Sequence, residues 1–112
     1  MAYAIIVSLA SRRLLLYQGG QVIRTYPVGI GKIGTPTPTG GFHIINIRPN
    51  PGGPYGAMWM GLNQPGYGIH GTNNPSSIGG MVSKGCIRMH NNDVVSIARV
   101  IPIGTPVTIT AK

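Results

Sequence analysis

Residues 3–28 read YAIIVSLASRRLLLYQGGQVIRTYPV. Tyr3–Leu9 is rich in aliphatic and β-branched residues, which predicts a strand buried on at least one face. Arg12–Tyr17 is a second such run and Val22–Val28 a third. Between the last two, Gln18-Gly19-Gly20-Gln21 supplies a turn, and a Gly-Gly pair flanked by apolar runs signals a hairpin. The chain therefore opens as a β-meander, and the remainder must supply its partners.

Working outward, Gly29–Gly41 (GIGKIGTPTPTGG) carries five glycines and two prolines and predicts an ordered loop. Phe42–Arg48 alternates as a strand, with His43 on one of its faces. Pro49–Pro54 is a second loop, and Tyr55–Leu62 a short apolar strand whose Trp59 belongs either to the core or to a cleft wall. Tyr67–His70 is another short strand. Gly71–Gly80 is a loop, and Met81–Cys86 follows it. Asn91-Asn92-Asp93 opens the single helix, with Asn91 as its N-cap. Val94, Ile97, Ala98 and Ile101 share one helical face, Arg99 lies in the last turn, and Pro102 stops it. Val107–Thr110 is the closing strand. About seven short strands to one helix make the class mainly β, a sandwich or a distorted barrel.

At 112 residues the chain is expected to form one domain, 1–112. Glycine (18) and proline (10) are abundant, but 42% apolar content and clear strand patterns argue for a folded, turn-rich protein. Nine Lys or Arg against one acid, Asp93, give a net charge of +8. The basic residues are scattered, and no nucleic-acid-binding motif accompanies them, so no nucleic-acid partner is expected. An anionic cell wall suits the charge equally well. One cysteine excludes an internal disulfide and any cysteine metal cluster, so no metal is expected. The first residues lack a signal-peptide pattern, and no apolar run approaches the roughly 20 residues of a membrane helix. The chain as given reads as soluble, without membrane insertion, and any export signal would lie outside it.

Chemistry concentrates in Gly68-Ile69-His70-Gly71-Thr72 and Ser83-Lys84-Gly85-Cys86-Ile87-Arg88-Met89-His90-Asn91. A thiol needs a base to become a strong nucleophile, and imidazole is the usual one near neutral pH. Fifteen residues separate His70 from Cys86, a loop that can fold back and bring the two together. His90 stands beside the helix start and is expected to position backbone. Lys84 and Arg88, each two residues from Cys86, would share its face in an extended segment and favour the thiolate. Asp93 is committed to the helix start, so a backbone carbonyl near His70 is the expected orienting group. The N–H groups around Gly85 and Cys86 are natural oxyanion donors.

These motifs resemble the signature of the L,D-transpeptidase catalytic domain (YkuD-type). The likeness spans nearly the whole chain and includes Gly34-Thr35-Pro36-Thr37-Pro38-Thr39-Gly40, Gly52-Gly53-Pro54 and Gly104-Thr105-Pro106-Val107. The resemblance implies a mainly β, sandwich-like or distorted barrel with one short helix after the catalytic cysteine. It implies a cysteine enzyme acting on peptidoglycan stem peptides through a thioester, releasing D-alanine and forming crosslinks. Water as acceptor would make it an L,D-carboxypeptidase, and a silent wall-binding module is the third alternative. By the same resemblance Cys86 is the nucleophile, His70 the base, and the Gly71 carbonyl its orienting partner. Arg88, Ser83, Lys84, Gly85, Trp59 and Tyr67 are the expected substrate contacts. Carbapenem-type inhibitors are expected to react, and no cofactor is implied. The substrate places the protein at the cell wall, with a spore-related role open. The pattern departs at Lys84, where members often carry histidine. Lysine keeps positive charge there but does not shuttle protons at neutral pH without a large pKa shift.

Overall fold

In the computed structural model, which describes residues 2–112, the opening meander consists of β1 (Tyr3–Ser8), β2 (Arg13–Gln18) and β3 (Gln21–Gly31). Residue 1 of the expected 1–112 domain lies outside the described residues. β1 and β2 pair antiparallel from Tyr3↔Gln18 to Ser8↔Arg13, and β2 and β3 pair across the Gly19-Gly20 turn. Alternation puts Ile5, Val7, Leu14 and Leu16 inward, where all are buried.

The remaining strands are β4 (Gly40–Pro49), β5 (Met58–Leu62), β6 (Gly68–His70), β7 (Met81–Ser83), β8 (Ile87–Met89) and β9 (Pro106–Thr110). Among the described residues a single α-helix, α1 (Asn91–Ala98), follows β8. The strand order is β2-β1-β9-β4-β5-β6-β8-β3-β7, and the extra β2–β3 pairing closes eight of these strands into a barrel. β7 is attached outside the ring, parallel to β3. Closure settles the choice between sandwich and barrel and removes the open edges of the main sheet. Among the described residues no helix is long and apolar enough to cross a membrane.

Several boundaries differ from the sequence expectation, including β4, which begins at Gly40, and α1, which ends at Ala98 and not at Ile101. β3 runs on through Gly29 to Gly31, residues expected to be loop, because this segment pairs with β8 at Val28↔Met89 and Gly29↔Arg88. The glycines there permit close approach: a Cβ at Gly29 would lie 2.9 Å from the Ser77 carbonyl oxygen. The loop that follows is ordered, with Lys32 N–H and Thr35 Oγ1 both donating to the Ser83 carbonyl, at 3.1 and 2.9 Å. Residues 53–55 form a 3-10 turn, so β5 begins at Met58 and not at Tyr55. Met81–Ser83 is a strand, but Lys84 and Gly85 form a bend.

The barrel interior is filled by Ile5, Val7, Leu14, Leu16, Val28, Ile44, Met60, Ile69, Ile87, Met89, Val107 and Ile109. Val94 and Ile97 of α1 are fully buried and Ile101 nearly so, matching the predicted face. Burial of each such aliphatic side chain contributes about 1.5–3 kcal/mol.

Candidate active site

Three adjacent strands build one wall of the site. β5 pairs antiparallel with β6 at Trp59↔His70 and Met60↔Ile69, and β6 pairs parallel with β8 at Ile69↔Ile87 and His70↔Arg88. Directly paired residues point to the same face of a sheet, and the next row points to the other. Met60, Ile69 and Ile87 form the core row, at 0%, 0% and 1% exposure. Trp59, His70 and Arg88 form the row on the opposite face. The strand pattern that fills the barrel thus also sets a base and a cation side by side.

The His70 ring is held from three directions. Trp59 stacks on it with ring centroids 5.6 Å apart and planes at 15°. Tyr55 meets it edge-on at 5.1 Å and 85°, and meets Trp59 in the same manner at 5.2 Å. Nδ1 lies 2.5 Å from the Gly71 carbonyl oxygen. A carbonyl only accepts, so Nδ1 carries the proton and Nε2 keeps the free lone pair of the neutral ring. Burial lowers the pKa of His70 below the ordinary 6.5, with Arg88 adding to the effect, while the Gly71 carbonyl opposes it. His70 is therefore a neutral base at physiological pH.

Cys86 is presented by a bend between β7 and β8. Ser83 Oγ donates to the Cys86 carbonyl at 2.6 Å and accepts the Gly85 N–H at 3.1 Å. Gly85 has φ +119°, and a side chain there would run into the Tyr67 ring. The Cys86 thiol points toward the Gly66 carbonyl, 3.5 Å from Sγ. Burial raises the thiol pKa above the ordinary 9.0, outweighing the Gly68 backbone and Arg88, which both lower it. The resting pair is thus neutral thiol and neutral imidazole. This corrects the expected thiolate, because desolvation exceeds the cationic help.

Cys86, His70 and Arg88 open onto one cavity of about 460 Å³, also lined by Tyr55, Lys32 and Lys84. Other expected contacts are redistributed. Lys84 sits in the bend and not in an extended segment; it lines the cavity, but Arg88 is the cation acting on the sulfur. Ser83 also lines the cavity, but it is only 2% exposed and its hydroxyl is occupied in the bend. The Gly85 N–H is likewise occupied and is not a free oxyanion donor. Tyr67 packs beneath Gly85 as a support. Trp59 backs His70 and faces a separate depression with Asn46, Arg48 and Pro51.

His90, not Asn91, occupies the N-cap position of α1, and its carbonyl accepts the Asp93 and Val94 N–H groups at 3.0 Å. The Asn91 amide turns to the loop after His70 instead. Its Oδ1 accepts the Ala57 and Thr72 N–H groups at 3.0 and 3.1 Å, and its Nδ2 donates to the Thr72 carbonyl at 3.1 Å. Tyr55 and Lys32 escaped the sequence reading as site residues: each reaches the cavity from a remote loop, and neither stands in a local pattern that marks it. Asn91 is expected from sequence only as the helix N-cap, and its contact with the loop after His70 is not a local signal. Among the described residues no three His, Cys, Asp or Glu side chains gather as a metal site would require.

Comparison with known proteins identifies the family and the fold. A family model for the L,D-transpeptidase catalytic domain, YkuD, matches residues 2–109. A Bacillus licheniformis protein assigned to the L,D-transpeptidases is 58% identical over 108 residues, 96% of this chain and 66% of its own length. The chain thus spans just under two thirds of that relative. Among solved structures, the catalytic domain of the Enterococcus faecium L,D-transpeptidase superposes with a TM-score of 0.85 at 26% identity, covering 96% of each chain. An L,D-transpeptidase in complex with imipenem shares the fold, with a TM-score of 0.84 at 22% identity over 97% of this chain and 59% of that one. The chain belongs to the L,D-transpeptidase catalytic domain family.

Proposed function

We propose that the protein is a cysteine acyltransferase that cleaves and rejoins peptidoglycan stem peptides at an L-centre carbonyl. The observation that carries this reading is the His70 imidazole. Its Nδ1–H is fixed on the Gly71 carbonyl, and its free Nε2 shares a cavity with Cys86. As Sγ attacks the carbonyl carbon, its proton passes to Nε2, and the Cys86 N–H is the backbone donor we assign to the oxygen that gains charge. The C–N bond then breaks, Nε2 returns its proton to the leaving D-alanine amine, and a thioester remains on Cys86. An acceptor amine attacks the thioester and gives its proton to Nε2. The C–S bond breaks, and the sulfur takes that proton back. Proton transfer during attack suits the neutral resting pair, since neither group needs to be charged beforehand.

Arg88, Lys32 and Lys84 line the cavity. The sole acid of the chain, Asp93, stands in the first turn of α1. Such a cavity favours the carboxylates of a stem peptide, with Arg88 as the bidentate contact. This substrate places the working enzyme at the cell wall, and carbapenems acylate the same thiol. The test is release of D-alanine from a tetrapeptide stem. Wild type releases it, while Cys86→Ala, folded by circular dichroism, releases none. Wall binding by wild type without any release would instead favour a silent binding module.

A further inference from the structure

Asn91 stands outside the cavity and touches no reacting atom, yet its amide is fixed by three hydrogen bonds to backbone. Only one orientation of that amide satisfies them: Oδ1 faces two N–H donors, and Nδ2 faces a carbonyl. The Thr72 N–H that it accepts belongs to the same peptide unit as the Gly71 carbonyl. That unit is planar and trans, so its N–H and C=O point in opposite directions. Asn91 therefore holds one side of the plane while His70 Nδ1 bonds to the other. The Gly71 N–H is tied in turn to the Met58 carbonyl at 3.0 Å. A side chain at either Gly56 or Gly71 would collide with Asn91 Oδ1, so both glycines leave room for this amide. Drawing on the Thr72 N–H also polarises the Gly71 carbonyl and strengthens it as an acceptor.

We propose that Asn91 is the positioning residue that fixes the tautomer and aim of His70, acting through the Gly71–Thr72 peptide unit. It links the start of α1 to the loop after β6, so the segment following the nucleophile sets the geometry of the base. The consequence for turnover rests on the acyl-transfer reading above. The consequence for the imidazole does not.

The test is imidazole ¹⁵N NMR on the free, ¹⁵N-labelled protein, with D-alanine release measured in parallel. In wild type His70 is expected as the Nδ1–H tautomer. In Asn91→Ala a substantial Nε2–H population appears, and kcat falls about a hundredfold with KM little changed, the scale of a small misalignment of reacting groups. Asn91→Asp keeps an acceptor for the Thr72 N–H, so it retains the Nδ1–H tautomer and recovers most of the rate. Should the alanine variant not fold, the aspartate variant still decides, because loss of the Nδ1–H form there contradicts the proposal. A folded Asn91→Ala that keeps the wild-type tautomer overturns it. If the tautomer responds as stated and no variant, wild type included, releases D-alanine, the acyl-transfer reading fails while the positioning role stands.

Discussion

At Cys86 two stabilising neighbours lose to burial. The Gly68 backbone and the Arg88 guanidinium favour the thiolate, but desolvation is the larger effect and keeps the thiol protonated past its ordinary 9.0. Alkylation by iodoacetamide should therefore be slow at pH 7 and still be climbing as pH passes 9; a plateau reached below pH 8 contradicts this. His70 carries the opposite shift, so acylation should persist as pH drops through 6.5 and fail only below it. Arg88 lowers both pKa values, so Arg88→Ala should raise both, read by thiol alkylation and by imidazole NMR. It should also reduce kcat/KM about ten- to a hundredfold, the value of one charge-assisted hydrogen bond. The thiol and the base were legible in the sequence because each is a rare residue type flanked by glycine. The protonation state was not, because it depends on burial contributed by remote strands. Lys84 shows the same limit. Its two-residue spacing from Cys86 suggested a shared face, but the bend at Lys84-Gly85 breaks the extended geometry that spacing assumes.

At the scale of the element, the bend between β7 and β8 does the presenting. Gly85 combines a left-handed φ of +119° with the Tyr67 ring where a Cβ would stand. Gly85→Ala should cost about 1–3 kcal/mol, from a strained backbone and a displaced ring. It should also slow acylation, since Cys86 is the next residue. A thermal melt beside the acylation rate checks both, and an unchanged Tm and rate would remove Gly85 from the presenting role. β8 has three residues, too few for a period-2 pattern to emerge between a cysteine and a helix start, and the sequence reading accordingly missed it. The eleven-residue β3 was cut short for the opposite reason: its glycines read as loop, yet they are where other backbone approaches closely. The helix start is readable to within a residue, since an amide near it and an acid in the first turn are local signals, but the helix ends at Ala98 with Arg99 as its C-cap, three residues short of the expected Ile101. Asn91 misled only in its role, as its side chain serves a loop distant in sequence.

For the whole molecule, closure of the ring by the β2–β3 pairing couples the opening meander to the site, because β3 also pairs with β8 beside Cys86. Leu16→Ala, a fully buried truncation in β2, should cost about 2–5 kcal/mol in urea unfolding. Stability should also fall with acid. The unfolded chain binds a proton at His70 near pH 6.5 and the folded protein only below it, so ΔG of unfolding declines as pH drops through 6.5 toward the lowered folded pKa. Urea midpoints at pH 7.5 and 5.5 measure this, and in His70→Gln that part of the slope should disappear. The mainly β class and the meander were readable from alternation. Barrel closure was not, because it rests on long-range pairings, such as β1 parallel to β9, that no local window contains.

The most direct test of acyl transfer by the neutral Cys86–His70 pair is intact-protein mass after mixing with a carbapenem, followed over time. Wild type should gain one carbapenem mass, mapped by peptide digestion to Cys86, and His70→Gln should gain it orders of magnitude more slowly. No adduct on a reduced, accessible thiol, or equal rates in the two proteins, would contradict the central claim.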